Sequence, residues 1–348
     1  MSLSSVSVAV DSRQQQLEQW LRPYIGGDLS GVAAGSDAGF RRYFRYQHKG
    51  HSLIAMDAPP ATEDCRPFVM VAELLAKAGV LVPDIIAADV ERGFLLLSDL
   101  GGSTYLQRMQ QADFTLDLAE PLFAEAIEAL IKFQQLSKPD CLPDYDEPLL
   151  RREMELFPEW YLQRHLGLVM ERPLRDILDR LFTQLCEQVL SQHKVFVHRD
   201  YMPRNLMIND RDDKGVGVLD FQDAVYGPIS YDVACLFKDA FISWPEHKVE
   251  QWLQQYWQQA VAVGLPVPPS FSDFQRDCDY MGAQRHLKVI GIFARICHRD
   301  GKSHYLSDVP RFFAYLQLVA SRRSELTALA ELLDYLDQKA KPAIKLNR

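Results

Sequence analysis

Residues 195–208 read VFVHRDYMPRNLMI. Asp200 follows a His-Arg pair, and Asn205 follows Asp200 by five positions. A second apolar run, GVGVLDF, reaches Asp220 twenty residues after Asp200. A carboxylate held beside a hydroxyl can orient it or take its proton. An amide oxygen and a second carboxylate can share a magnesium ion, which prefers oxygen ligands and completes its shell with phosphates and water. Phosphoryl transfer needs these parts, because the protein contributes mostly positioning and charge neutralisation. Asp200 is thus the candidate base, and Asn205 and Asp220 are the candidate magnesium ligands. A lone His-Arg-Asp is weak, but the asparagine and the second acid after an apolar strand make the pattern specific. His198 is expected to hold the loop in shape. Asp232, in GPISYDVACLF, either caps its own helix or reaches back to brace the loop.

Two kinds of element must position these residues. Up to about residue 98 the chain reads mainly as strands: segments within 30–57, then DIIAADV and GFLLLSDL. One helix over 66–78 interrupts them, with Pro67 near its start and Gly79 just past its end. A short amphipathic helix over 14–22 precedes them. Beyond Gly101-Gly102, helical periodicity dominates over 116–137, 147–167, 171–192, 246–263, 271–299 and two stretches after Pro310. The strand-like exceptions KVFVH, NLMI and GVGVLDF form a small island. Gly227-Pro228 is expected to be a turn. The fold class is therefore α+β with two lobes: a β-rich N-lobe over 1–98 and a mainly helical C-lobe over 99–348. Ligand is expected in the cleft between them.

Composition is that of an ordinary globular protein, with 47% hydrophobic and 24% charged residues in 348. A net charge of -9 argues against a nucleic-acid partner, which needs a basic face. The six cysteines form no C-x-x-C pair and read as free thiols. The N-terminus lacks a basic signal-peptide region, and no apolar run reaches the ~18 residues of a membrane helix. These features predict a cytoplasmic protein with no membrane association and no obligate protein partner.

The segments HRDYMPRNLMI, VLDFQDA and GPISYDVACLF resemble the aminoglycoside phosphotransferase family, which implies a two-lobed protein-kinase-like fold. SDAGFRRYFR, MDAPPATEDCRPF, ERGFLLLSDLGG, LLRREMELFPEWY and QRHLKVIGIFARICHRDGK narrow the resemblance to bacterial anomeric amino-sugar kinases of cell-wall recycling. Those use ATP to phosphorylate the C1 hydroxyl of N-acetylmuramate or N-acetylglucosamine. The resemblance implies the same roles for Asp200, Asn205 and Asp220. It also implies a hinge at Ser98, Asp99 and Leu100 whose backbone binds adenine. The alternatives are a kinase of another hydroxyl compound, such as an aminoglycoside, choline or a homoserine-like molecule, or a nucleotide-binding regulator without catalysis.

The sequence departs from the protein-kinase pattern in two places. It has no G-x-G-x-x-G, and the strand that should carry a phosphate-binding lysine reads LIAMD, with Met56 or Asp57 in the slot. Ser36 and Asp37, in SDAG, are expected to bend over the nucleotide. Arg41 and Arg42 are expected to supply the charge, Arg41 and Arg45 sharing one strand face and Arg42 the other. For the acceptor, Arg204, Gln222 and Asp223 flank the candidate site in sequence. Arg285, Lys288 and Arg295 form with Arg299 a basic stripe on an otherwise apolar helix. That stripe would suit an anionic sugar, or would pair with the acidic helix over 147–160.

Overall fold

The computed structural model describes residues 11–26, 29–36, 40–209 and 215–339. The first lobe comprises α1 (Ser12–Ile25), β1 (Val32–Ser36), β2 (Arg42–His48), β3 (His51–Asp57), α2 (Arg66–Lys77), β4 (Ile85–Asp89) and β5 (Phe94–Ser98). The strands form one antiparallel sheet in the order β1-β2-β3-β5-β4. Helix α1 covers one face, where Leu17, Trp20 and Leu21 meet Phe44, Ala55, Phe94 and Leu96. Helix α2 covers the other, where Phe68, Val71 and Leu75 join Met56, Leu95 and Leu97. Burial on both faces explains why β5 reads FLLLS without alternation.

The second lobe holds α3 (Tyr105–Gln111), α4 (Leu116–Gln135), α5 (Glu147–Met154), α6 (Arg172–Leu190), β6 (Lys194–Val197), β7 (Leu206–Met207), β8 (Gly217–Val218), β9 (Val225–Pro228), α7 (Tyr231–Phe237), α8 (Glu246–Ala262), α9 (Phe271–Asp300), α10 (Val309–Arg322) and α11 (Thr327–Lys339). Buried helix α9 is its spine. Gly291 lies so close to the backbone of Leu156 and Phe157 that a Cβ there would sit 2.3 Å from the Leu156 carbonyl carbon. Among the described residues no helix is long and apolar enough to cross a membrane.

Three local expectations change. The helix expected over 147–167 breaks after Met154 and continues as π-helix over Phe157–His165. Pro158 cannot donate its i→i−4 bond and would clash with the carbonyl four residues back, and the wider turn relieves this. Gly227 and Pro228 lie in β9, which pairs with β6, and not in a turn. Pro228 sits at the end of that ladder, where a missing N–H does least harm. The run GVGVLDF is strand only over Gly217–Val218, since Asp220 adopts a positive φ of 62° that breaks the pleat. Helix α3, too short for its periodicity to show, was not expected.

Candidate active site

Strand β6 delivers the chain to the loop His198–Asn205. His198 is 1% exposed. Its Nδ1 accepts the Asp200 N–H at 3.2 Å, and its Nε2 faces the Leu219 carbonyl at 3.0 Å. That pairing puts the proton on Nε2. Burial pushes its pKa down to about 4, so the ring is neutral near pH 7. His198 thus fastens the Asp200 loop to the segment entering Asp220.

Asp232 is fully buried and accepts the backbone N–H groups of His198 at 2.7 Å and Arg199 at 3.0 Å. It braces the His198–Asn205 loop and does not cap its own helix, whose N-cap is Ser230. Burial raises its pKa to about 7 against the pull of those two donors. Two non-glycine residues here take a left-handed backbone, Arg199 at φ 76° and Asp220 at φ 62°. Such strain persists only where surrounding contacts over-determine it, and it gathers at functional sites.

Asn205 ties the three chemical residues together. Its Nδ2 donates to the Asp200 carbonyl at 2.9 Å and to Asp220 Oδ2 at 3.3 Å. With that amide orientation its oxygen is left for another partner beside the Asp220 carboxylate. Among the described residues no three His, Cys, Asp or Glu side chains converge. One amide oxygen and one carboxylate fit magnesium, which usually relies on one or two protein oxygens with phosphates and water, rather than zinc. Gln222, expected at the sugar, instead donates Nε2 to Asp220 Oδ1 at 2.8 Å and so orients that carboxylate. Asp223 remains exposed.

A cleft of about 320 Å³ opens above these residues. Ser98, Asp99 and Leu100 line its hinge side, Ile54 and Leu97 its sheet side, and Arg204, Asn205 and Asp220 its floor. The Asp99 side chain is committed internally, to Arg45 Nε at 2.6 Å and the Gly101 N–H at 3.0 Å. What the hinge offers a ligand is therefore backbone. Gly217 packs beneath it, where a Cβ would lie 2.9 Å from Leu100 Cδ1. Phe221 packs at a tilt against Phe68 with centroids 4.7 Å apart, linking the Asp220 segment to α2.

Neighbouring arginines diverge as strand parity demands. Arg42 faces away from the cleft and pairs with buried Asp57 at 2.5 Å and with Asp11. Arg13 joins from α1, meeting Asp57 at 2.7 Å. The expectation that Arg42 meets nucleotide is therefore corrected: it bolts α1 to the sheet. Asp57 is likewise excluded from the lysine slot, which falls to Met56 on the α2 face. Arg41 is half-buried and pairs with Glu63 at 2.9 Å. Burial lowers its pKa, but Tyr43, Glu63, Asp223 and Asp220 outweigh that and raise it, so its guanidinium faces the acidic end of the site. Ser36 ends β1, and Asp37 lies outside the described residues.

The basic stripe on α9 does not act as one surface. Lys288 is 8% exposed and pairs with Glu153 at 2.8 Å and the Tyr231 hydroxyl at 3.0 Å. This corrects its assignment to substrate in favour of the pairing with the acidic helix. Arg295 lies ~15 Å along the helix from Arg285, among Arg299, Asp300 and Glu159, so its assignment to substrate is corrected too. Arg285 is buried. Desolvation lowers its pKa, but Cys235, Tyr231, Asp200 and Asp239 raise it further, and its Nη1 has no hydrogen-bond partner among the described residues. Arg204 lines the cleft with its guanidinium carbon 5.4 Å from the Phe241 ring centroid.

Glu153 was not anticipated. It is 6% exposed and accepts from Lys288, Arg199, Tyr145 and Gln284. Burial pushes its pKa up, but Lys288 and Arg199 outweigh this and bring it down to about 2. Its only sequence signal was an acid inside an apolar-faced helix segment. Glu63 was missed as well, since it lies in a loop without periodicity.

Residues 30–270 match the profile of the phosphotransferase enzyme family. The chain is similar to the N-acetylmuramate/N-acetylglucosamine kinase of Pseudomonas putida, 56% identical over 342 residues that cover 95% of this chain and 98% of that protein. It is 44% identical to the enzyme of that name from Neisseria meningitidis, over 92% of this chain and 95% of the other. Among solved structures, the choline kinase from Streptococcus pneumoniae shares the fold, with a TM-score of 0.58 at 14% identity over 88% of this chain and 99% of that one. A GDP complex of an aminoglycoside 2'-phosphotransferase gives a TM-score of 0.58 at 16% identity, over 89% and 98%.

Proposed function

The chain belongs to the phosphotransferase enzyme family, and on that footing we propose that it transfers the γ-phosphoryl group of ATP, with magnesium, to the anomeric C1 hydroxyl of N-acetylmuramate or N-acetylglucosamine in cell-wall recycling. The observation that carries this reading is the Asn205 amide, which bonds both the Asp200 carbonyl and the Asp220 carboxylate. That bridge ties the loop bearing the proposed proton acceptor to the proposed metal-ligating pair at the floor of a nucleotide-sized cleft. The names of the relatives supply the sugar.

In this reading Asp200 orients the sugar hydroxyl and accepts its proton as the oxygen attacks. Asn205 and Asp220 would hold magnesium, which when bound screens the phosphate charge. Gln222 keeps the Asp220 carboxylate turned toward the cleft. The backbone of Ser98 to Leu100 receives the adenine. Arg41, held by Glu63, faces the phosphates from the first lobe. Arg285 and Asp223 border the acceptor side. We assign residues 1–98 to the nucleotide lobe and 99–348 to the catalytic and sugar lobe, and place the protein in the cytoplasm.

The test is coupled ADP release with magnesium and ATP over a panel of N-acetylmuramate, N-acetylglucosamine, kanamycin, choline and no acceptor. Release confined to the N-acetyl sugars, absent in Asp200→Asn, with phosphorus NMR locating the product phosphate at C1, is the expected result. Release with another acceptor would discard the sugar.

A further inference from the structure

We propose that Arg204 is the residue that meets the transferring phosphoryl group, supplying from the second lobe the positive charge that Met56 cannot supply from β3. The proposal rests on the phosphotransfer reading above and names a role within it. The cleft floor is short of positive charge: Asp220 is an acid, Asn205 is neutral and is bonded to the Asp200 loop, and the phosphates of the nucleotide are anionic. Of the two arginines lining the cleft, Arg45 is locked to Asp99 by two bonds, at 2.6 and 3.1 Å, and to the Gly101 carbonyl. Arg41, above the acids, is paired with Glu63. Arg204 is different. Among the described residues it makes no hydrogen bond and no ion pair. Its partner is the face of Phe241 at 5.4 Å.

A ring face orients a guanidinium without occupying any of its five N–H donors, so the fork stays available for phosphate oxygens. The backbone beneath is rigid. Arg204 is the middle residue of a 3-10 turn, Pro203–Asn205, closed by the Asn205 N–H to the Met202 carbonyl at 2.8 Å. Pro203 restricts the backbone just before it. The same turn carries the metal-ligating asparagine, so the cation and the metal ligand are positioned as one unit. During transfer the bond from the γ-phosphorus to the bridging oxygen of ADP breaks, and a bond from that phosphorus to the acceptor oxygen forms. The hydroxyl proton passes to Asp200. Arg204 donates to the equatorial oxygens, where negative charge spreads in the transition state.

The experiment is steady-state kinetics of Arg204→Ala, Arg204→Lys and Phe241→Leu with magnesium, ATP and the sugar. For Arg204→Ala, kcat is expected to fall by roughly 10²–10³ while KM for ATP and for sugar stay within about threefold. Added guanidinium ion should raise its kcat at least about tenfold, recovering part of that loss, whereas ammonium should not. Arg204→Lys should recover less than about a tenth of the wild-type rate, and Phe241→Leu should lose roughly 3–10-fold in kcat. A raised sugar KM with intact kcat would make Arg204 an acceptor contact and overturn the proposal. A raised ATP KM with intact kcat would overturn it equally. Wild-type protein without ADP release on any acceptor would instead defeat the sugar-kinase reading. Calorimetry with magnesium, ADP and aluminium fluoride tests Arg204 even then. Arg204→Ala should bind that mimic of the transferring phosphoryl at least ~10-fold more weakly while binding ADP as wild type does, and equal binding of the mimic by both proteins would exclude the role.

Discussion

Replacing Glu153 with glutamine should be among the more damaging single isosteric changes in this protein. The carboxylate sits in a buried space with Lys288 at 2.8 Å and Gln284 at 3.3 Å, and it also bonds Arg199 and Tyr145. Its pKa falls from 4.5 to about 2. Holding the carboxylate that far below its ordinary range corresponds to about 3 kcal/mol of stability at neutral pH, at ~1.36 kcal/mol for each tenfold change in proton affinity. An independent route agrees: removing one partner of a buried ion pair typically costs about 3–5 kcal/mol, because the remaining charges are stranded. Here the stranded charges are two cations. Unfolding entropy of ~2.1 cal/mol/K per residue over a chain of this length gives about 0.7 kcal/mol/K, so the melting temperature should fall by about 4 °C if the lobes unfold together. The sign with pH is determined as well. A depressed carboxylate contributes fully above its unfolded pKa of 4.5 and loses that contribution as pH drops toward 2. The gap between wild type and Glu153→Gln should therefore be flat from pH 7 to 5. Scanning calorimetry across that range, with Lys288→Met and the double variant, measures both quantities. The two losses should be far from additive, since both variants break the same pair. A gap below about 1 kcal/mol, or strict additivity, would refute the network as a stabilising unit. A selective rise in sugar KM for Lys288→Met would restore its assignment to substrate.

Other expectations are quicker to check. Asp200→Asn should lower turnover by at least ~10² while ADP binding by calorimetry is unchanged; near-normal turnover would remove it as the base. Arg41→Ala should raise KM for ATP several-fold with little loss of melting temperature, whereas Arg42→Ala should leave ATP kinetics alone and destabilise, because it strands buried Asp57 with only Arg13. Gly291→Ala should destabilise by ~2 kcal/mol or more, read by urea unfolding, because backbone atoms at 2.3 Å cannot give way as a flexible side chain can. His198, depressed to about 4 by burial, contributes stability that is complete above pH 6.5 and lost as pH falls toward 4. His198→Gln should flatten the pH dependence of melting in that window.

The proposed chemical core of this protein was legible locally. Asp200, Asn205 and Asp220 lie within 21 residues, and loop chemistry of that kind depends on spacing along the chain more than on packing. Helical and strand periods likewise marked most elements. Parity also placed Arg42 and Arg45 on opposite faces of β2.

Which of those faces looks onto the cleft was a tertiary decision, made when α1 took one side of the sheet and α2 the other. The same decision sent Asp57 to Arg13 and Arg42 and left Met56 in the lysine slot. Lys288 shows the limit most clearly. Helical phase could align it with Arg285, but its partner Glu153 is 135 residues away, and only packing of α5 against α9 brings them together. The pairing of β9 with β6 and the isolation of Arg204 on Phe241 share that cause. Each depends on which distant surface a side chain meets, and a single sequence encodes that through the sum of burial over the whole chain, not through any local pattern.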